Sequence, residues 1–184
     1  MNVRTPLLLA LLVVFLAGCS DDDGNPTAPT GPDGSDDPDV EEILEPRFAS
    51  IRSIKVDRFD ATKGETNWDL TLDLEGRRPD VYATLQIGTS SAFYRSQPVE
   101  DAEWNLQHDL STAESGSARL PRSVGTASQL TVSLFDDDGI GDDFMGAISF
   151  VVGGKYRDDN ATDFTWVLSG SGDVVFRVSG QWVY

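Results

Sequence analysis

The sequence predicts an all-β fold, an antiparallel eight-stranded β-sandwich formed by residues 46–184. Short segments alternate apolar and polar residues with the two-residue period of a strand. Clear examples are Val81-Ala83-Leu85-Ile87 and Leu130-Val132-Leu134. Turn-rich segments separate these runs, and none shows the 3.6-residue apolar period of an amphipathic helix. Strands without helices bury their apolar faces by packing as two sheets, which favours a sandwich.

Residues 1–18 are interpreted as an export signal. Arg4 precedes the apolar run Leu7–Phe15, which is shorter than the ~20 residues of a membrane-spanning helix. The run ends in Leu16-Ala17-Gly18-Cys19, which resembles the lipobox of bacterial lipoproteins. This resemblance implies cleavage before Cys19 and lipidation of that residue. The alternative is an ordinary secretory signal followed by an incidental cysteine.

The residues after Cys19 bear on location. Ser20, not aspartate, follows the cysteine, which allows sorting to the outer membrane. The run Ser20-Asp21-Asp22-Asp23 is similar to the acidic export signal of some surface-exposed lipoproteins. We therefore expect a bacterial cell-envelope protein, anchored to the outer membrane through Cys19, and leave both the periplasmic and the surface orientation open.

Residues 19–45 are predicted to form a disordered acidic tether. Ser20–Glu45 contains ten acidic residues, no Lys or Arg, and many Pro, Gly, Ser and Thr. Such a segment buries too little apolar surface to offset the entropy of its chain. The whole chain has a net charge of −17, and the domain itself is also acidic, with no basic stripe to neutralise phosphates. We therefore expect no nucleic-acid partner, and we expect a monomer.

The segment from Leu134 to Phe150 carries the candidate site. Five aspartates lie between two apolar runs: Asp136, Asp137, Asp138, Asp142 and Asp143. Like charges so close together repel one another unless positive charge compensates them. A hard cation with oxygen ligands, above all Ca²⁺, is the natural candidate. The alternative is a solvated acidic hairpin tip, which Asp-Gly sequences often form.

The sequence lacks the common catalytic motifs, so we predict that the protein is not an enzyme. It contains no HExxH, P-loop or GxSxG pattern. The alternation Trp104-Leu106-His108-Leu110 predicts a strand face on which the single histidine is partly buried and hydrogen-bonded. A hydrolase built on a pair of acidic residues is the weakest alternative, because their pairing does not follow from sequence.

The acidic segment resembles the third calcium loop of a C2 domain. The matching residues are Leu130 to Asp138 and Asp143-Phe-Met-Gly146 to Phe150, in the family's order of strand, D-x-D, loop, D-x-hydrophobic-G, strand. Two further segments agree with that family. Arg78-Pro79-Asp80-Val81-Tyr82 is similar to the end of its first calcium loop, and Ala102-Glu103-Trp104-Asn105 is similar to its N-P-x-W-N motif.

The resemblance implies a C2-like sandwich that binds calcium between loops at one edge. It implies the ligands Asp80, Asp136, Asp138 and Asp143, together with either Asp69 or Asp73, of which we favour Asp69. Loops of this kind bind anionic lipid head groups or a protein, and Arg77, Arg78 and Ile140 are candidate contacts. A solvated turn is the alternative for the two arginines. The leading hypothesis is thus a calcium-dependent binding module on a lipid anchor. The second hypothesis is a structural or adhesive sandwich whose acidic loop has no ion-dependent function.

Overall fold

A computed structural model describes residues 44–66, 68, 78–138, 141–157 and 161–184. These described residues form two antiparallel sheets, which confirms the predicted β-sandwich. They contain nine strands, whereas the sequence predicted eight. The strands are Phe48–Arg58 (β1), Val81–Ile87 (β2), Tyr94–Arg95 (β3), His108–Asp109 (β4), Arg122–Gly125 (β5), Gln129–Asp136 (β6), Asp143–Val151 (β7), Asp163–Ser169 (β8) and Val175–Val183 (β9).

The sheets differ in composition. In the first sheet the strand order is β4-β1-β9-β8, and β5 also pairs with β1. In the second sheet the order is β3-β2-β6-β7. The long strand β1 therefore organises the first sheet, since it pairs with β4, β5 and β9. The second sheet carries the acidic segment, because β6 ends and β7 begins within it.

The core lies between the sheets and consists of the side chains that the alternation predicted. On β2 the inward residues Val81, Ala83 and Leu85 are fully buried. Their neighbours on β6 are Leu130, Val132 and Leu134, also fully buried. The register pairs the two sets directly, with Ala83 opposite Leu134 and Leu85 opposite Val132. Alternation in sequence thus translates into one continuous apolar layer.

The predicted strand through Trp104, Leu106, His108 and Leu110 is wrong over its first half. Strand β4 covers His108 and Asp109 alone, and the preceding residues form a turn that leaves Trp104 48% and Leu106 50% exposed. A turn hydrogen bond from the Leu106 N–H to the Glu103 carbonyl, 3.1 Å long, replaces strand pairing here. The expectation for His108 itself is confirmed: the ring is half-buried, with Nε2 at 2.8 Å from the Glu103 carbonyl oxygen.

The export signal, Cys19 and the tether up to residue 43 lie outside the described residues, as does the possible strand through Leu70 to Leu74. No helix in the part of the chain that the structure describes is long and apolar enough to cross a lipid bilayer.

Candidate functional site

The pleat of β6 and β7 divides the acidic segment between two faces of the sheet. Asp136 continues the inward-facing row of Val132 and Leu134 and has no solvent exposure. Asp143, the first residue of β7, is its direct cross-strand partner. Cross-strand partners point to the same side of a sheet, whereas Asp137 follows on the opposite side. The five aspartates therefore do not form one cluster.

On the inner side, Asp80 and Asp136 are held together by hydrogen bonds. The Asp80 backbone N–H donates to Asp136 Oδ1 over 2.9 Å, and the Asp80 carbonyl accepts from the Asp137 N–H over 2.8 Å. The Asp80 carboxylate in turn accepts from the Asp101 N–H over 2.8 Å. These contacts arise because Asp80 directly precedes β2, whose first residue Val81 pairs with Asp136. The two aspartates, 56 residues apart in sequence, thus share one edge of the sandwich.

A lysine reaches the same edge from the other sheet. Lys63 follows β1 in the turn between that strand and Trp68, and its Nζ lies 2.5 Å from Asp143 Oδ2. Both side chains are partly exposed, at 47% for Lys63 and 30% for Asp143. The carboxylate at the start of β7 is therefore already paired with a positive charge of the chain.

On the outer side, Arg95 compensates the remaining acidic side chains. Its guanidinium lies 3.1 Å from Asp142 Oδ2, 3.4 Å from Asp137 Oδ1 and 2.8 Å from Glu114 Oε2. It also lies 3.6 Å from the centre of the Tyr82 ring, the geometry of a cation–π contact. Arg95 thus connects β3 to the acidic segment through three carboxylates and one aromatic ring.

Tyr82 completes this outer network. Its hydroxyl donates to Asp142 Oδ2 over 2.6 Å, and its ring stacks on Phe135, with the ring centres 5.2 Å apart. Phe135 in turn meets Phe144 edge-on at 5.6 Å. A row of three aromatic rings therefore crosses β2, β6 and β7 and supports the end of the acidic segment.

The network shifts the pKa values of its members in opposite directions. The Tyr82 hydroxyl bond, together with Arg95, holds the pKa of Asp142 below its usual range against the effect of burial. Burial raises the pKa of Asp137, and the neighbouring Asp142 charge adds to this, although Arg95 opposes it. Burial and the bond to Asp142 raise the pKa of Tyr82 well above its usual value. Asp142 is therefore the favoured anion of the pair.

No protein-family model and no curated protein matches the chain. Solved structures of C2 domains do match in fold. One C2-domain structure aligns with 75% of this chain and 99% of its own, at 10% identity and a TM-score of 0.41. A two-domain structure of extended synaptotagmin 2, which contains both of its C2 domains with calcium bound, aligns over 76% of this chain and 46% of its own. The identity is 17% and the TM-score 0.45.

Human GIVD cytosolic phospholipase A2, solved with an inhibitor and terbium chloride, aligns over 74% of this chain and 17% of its own. The identity is 14% and the TM-score 0.47. This chain therefore spans less than half of the synaptotagmin and phospholipase chains. It is similar in fold to C2 domains, the family that its motifs resemble.

The structure brings some of the predicted site residues together. Asp80, Asp136 and Asp143 lie at one edge, on three neighbouring strands or directly beside them. Asp138 follows β6 and is half-buried, and its carbonyl accepts from the Gly141 N–H over 2.9 Å. Asp69, Asp73, Arg77 and Ile140 lie outside the described residues, as does Cys19. Their assignments, and those of all the proposed ligands, stay predictions.

Arg78 belongs to the exposed turn before β2 and pairs with Glu103. This pairing corresponds to the solvated-turn alternative for this residue. A contact of Arg78 with a lipid phosphate stays a prediction, and it would require exchange of Glu103 for the phosphate.

The donor chemistry at the edge fits Ca²⁺, since carboxylate and backbone carbonyl oxygens are its preferred ligands. The arrangement is not a closed site. Within the described residues, no three acidic, histidine or cysteine side chains are grouped so that they could hold a metal ion. The first-loop candidates Asp69 and Asp73 are not among the residues considered. The described residues thus supply part of a ligand set at one edge, and a complete site requires further ligands or movement of those present.

Three residues of this region escaped the sequence reasoning: Lys63, Arg95 and Tyr82. They lie 80, 47 and 60 residues from their aspartate partners. No periodic signal connects residues so far apart. One hint was available, since like charges in one segment require compensation and the chain has few basic residues to provide it.

Proposed function

We propose that the chain is a calcium-binding C2-like module that attaches to a membrane surface or to another envelope protein when calcium is bound. The single observation that carries this proposal is the meeting of Asp80, Asp136 and Asp143 at one edge of the sandwich. Asp136 is decisive, because a carboxylate without solvent exposure incurs a large desolvation cost unless its surroundings favour its charge.

The residues at this edge have distinct roles in the proposal. Asp136 is oriented by the Asp80 N–H, and Asp80 is oriented by the Asp101 N–H, so two carboxylates are fixed by backbone donors. Asp143 and Asp138 flank them on β7 and after β6. A bound Ca²⁺ ion would supply local positive charge at an edge that is otherwise acidic. Anionic head groups or partner carboxylates would then be attracted to the domain, whose overall charge repels them.

An exposed apolar turn supports a membrane as the partner. Trp104 and Leu106 lie beside the acidic edge, since the Ala102 N–H bonds to the Pro79 carbonyl over 2.8 Å and Asp101 bonds to Asp80. Tryptophan favours the interface between lipid and water, where its ring is partly buried and its N–H remains hydrated. This turn is therefore the proposed apolar contact, next to the proposed cation.

Anchoring and location enter the proposal from the sequence. Lipidated Cys19 would attach the chain to the outer membrane of a bacterial cell envelope, and residues 20–45 would act as a tether. One acyl-modified end restricts the domain to the neighbourhood of a membrane, so that even weak calcium-dependent contacts become effective. The proposed role is binding, without catalysis.

Calorimetric calcium titration and thermal unfolding test the calcium proposal. The wild-type chain is expected to bind calcium and to unfold at a higher temperature with it than in chelator, by linkage. The Asp136→Asn/Asp138→Asn variant should lose both effects. Because this variant keeps the acidic tether, the heats of weak tether binding are the same in both proteins and cancel in the comparison. Equal melting temperatures of the wild type in chelator and in millimolar calcium would sink the proposal.

A second candidate is a structural or adhesive sandwich that needs no ion. Arg95 and Lys63 favour it, because they pair with Asp137, Asp142 and Asp143, three of the five aspartates. Flotation with anionic liposomes distinguishes the two. Calcium-dependent flotation that a Trp104→Ala/Leu106→Ser variant loses, while a Val151→Ser control retains it, supports membrane binding. Val151 is a suitable control because it is 53% exposed at the opposite end of β7. No flotation under any calcium concentration supports the second candidate.

A further inference from the structure

The turn that carries Lys63 is fixed in the fold. Its far end is anchored by Trp68, which is 5% exposed and whose indole N–H donates to the Asp60 carbonyl over 2.8 Å. Lys63 and Thr66 exchange backbone hydrogen bonds of 2.8 and 3.3 Å across the turn. Gly64 supplies the positive φ of 65° that the tight turn requires. The backbone of Lys63 therefore holds its side chain in reach of Asp143.

The ammonium group of Lys63 occupies one side of a proposed calcium ligand. Nζ lies 2.5 Å from Asp143 Oδ2, within direct contact distance. A divalent cation bound by the same carboxylate would lie within a few ångströms of this ammonium. Two positive charges at such a distance repel each other strongly, even after allowance for solvent. Both therefore cannot hold Asp143 at once without a marked loss of free energy.

We propose that Lys63 is an internal competitor of the cation at Asp143, and that it thereby sets the calcium affinity of the edge. This inference rests on the proposed function, because it concerns the same ligand set. Cation binding requires the Lys63 side chain to leave Asp143 and turn towards solvent, for which its exposure leaves room. The free energy of the broken ion pair is thereby subtracted from the free energy of cation binding.

The competition also gives selectivity by charge. Exchange of an ammonium for Na⁺ or K⁺ leaves the charge at Asp143 unchanged, so the edge gains no electrostatic energy. Exchange for a divalent ion adds one unit of positive charge beside Asp80, Asp136 and Asp143. Lys63 therefore disfavours monovalent ions more than divalent ones, and the edge responds to calcium against a background of monovalent salt.

The test compares full-length wild type with Lys63→Met, which keeps the apolar stem and removes the charge. Lys155→Met is the matched control, because it makes the same change in net charge at the 3-10 turn after β7, far from Asp143. Calorimetry should give a calcium affinity about three- to tenfold higher for Lys63→Met than for wild type, the range expected for loss of a partly exposed ion pair and of nearby repulsion. Lys155→Met should bind like wild type. Lys63→Gln repeats the test with a polar replacement.

A metal-free measurement examines the ion pair itself. In chelator, Lys63→Met and Asp143→Asn should each lower the melting temperature, and the double variant should lose less than the sum, as coupled residues do. Equal calcium affinities for wild type, Lys63→Met and Lys155→Met would overturn the competition and leave the proposed function standing. Failure of wild type and Lys63→Met alike to bind calcium would overturn both. Calcium binding by Lys63→Met alone would support both.

Discussion

At the residue scale, Arg95 explains how the acidic segment can be ordered without an ion. One guanidinium meets Asp137, Asp142 and Glu114 and stacks on Tyr82. A planar group with several donors suits such multiple contacts better than an ammonium does. From sequence we expected mutual repulsion to loosen the segment in the absence of calcium. The outer half of the segment carries its own counter-charge, so the repulsion argument for a cation now applies to the inner half.

The opposite pKa shifts of Asp142 and Asp137 predict opposite effects of removing their charges. The pKa of Asp142 is lowered, so its charge stabilises the fold above the usual aspartate pKa of about 4, and this contribution is lost as pH falls. The pKa of Asp137 is raised, so its charge costs stability at neutral pH, and the cost disappears in acid.

Near neutral pH, Asp142→Asn should therefore lower the free energy of unfolding by about 0.5–1 kcal/mol, whereas Asp137→Asn should leave it unchanged or raise it slightly. Urea unfolding at neutral pH and at about pH 3 measures both effects, and the difference between the variants should shrink in acid. The two substitutions are matched in size and position. Equal losses from both at neutral pH would contradict the assignment of Asp142 as the favoured anion.

At the element scale, β7 joins the acidic edge to the opposite sheet. The Ala147 N–H donates to Ser171 Oγ over 3.0 Å, and the Ser171 N–H donates to the Ala147 carbonyl over 3.0 Å. These bonds attach β7 to the turn between β8 and β9. Gly146 permits this approach, because a Cβ there would lie 2.0 Å from the Ser171 carbonyl oxygen. The glycine of the Asp-Phe-Met-Gly motif thus serves sheet-to-sheet packing.

Gly146→Ala should destabilise the domain by roughly 1–3 kcal/mol, since the added methyl group forces the β8–β9 turn away from β7. Gly154→Ala is the control, because a Cβ at Gly154 meets nothing within 4 Å. Thermal unfolding should show a clear decrease in melting temperature for the first variant and almost none for the second. A Gly146→Ala protein as stable as Gly154→Ala would show that the turn yields without cost.

At the scale of the whole molecule, the sequence predicted what depends on local periodicity. The buried rows of β2 and β6 followed from alternation, and the edge position of Asp136 and Asp143 followed from the apolar runs on either side. The sequence did not predict what depends on contacts between distant residues. Lys63 and Arg95 have no pattern that indicates their partners, and the turn at Trp104 mimics a strand because its apolar residues happen to alternate.

The central position of β1 leads to a prediction about where the folded unit starts. Its inward residues Ala49, Ile51, Ile54 and Val56 have no solvent exposure, and the strand pairs with β4, β5 and β9. Burial of each large side chain contributes about 1.5–3 kcal/mol, so loss of the strand removes a large part of the usual net stability of roughly 5–15 kcal/mol. A chain that starts at Leu44 retains the first backbone bond, from the Arg47 N–H to the Val183 carbonyl. It should unfold cooperatively at the melting temperature of the full chain, whereas a chain that starts at Phe59 should not fold. Circular dichroism during heating measures both, and a markedly lower melting temperature for the Leu44 start would show that residues before it contribute to the fold.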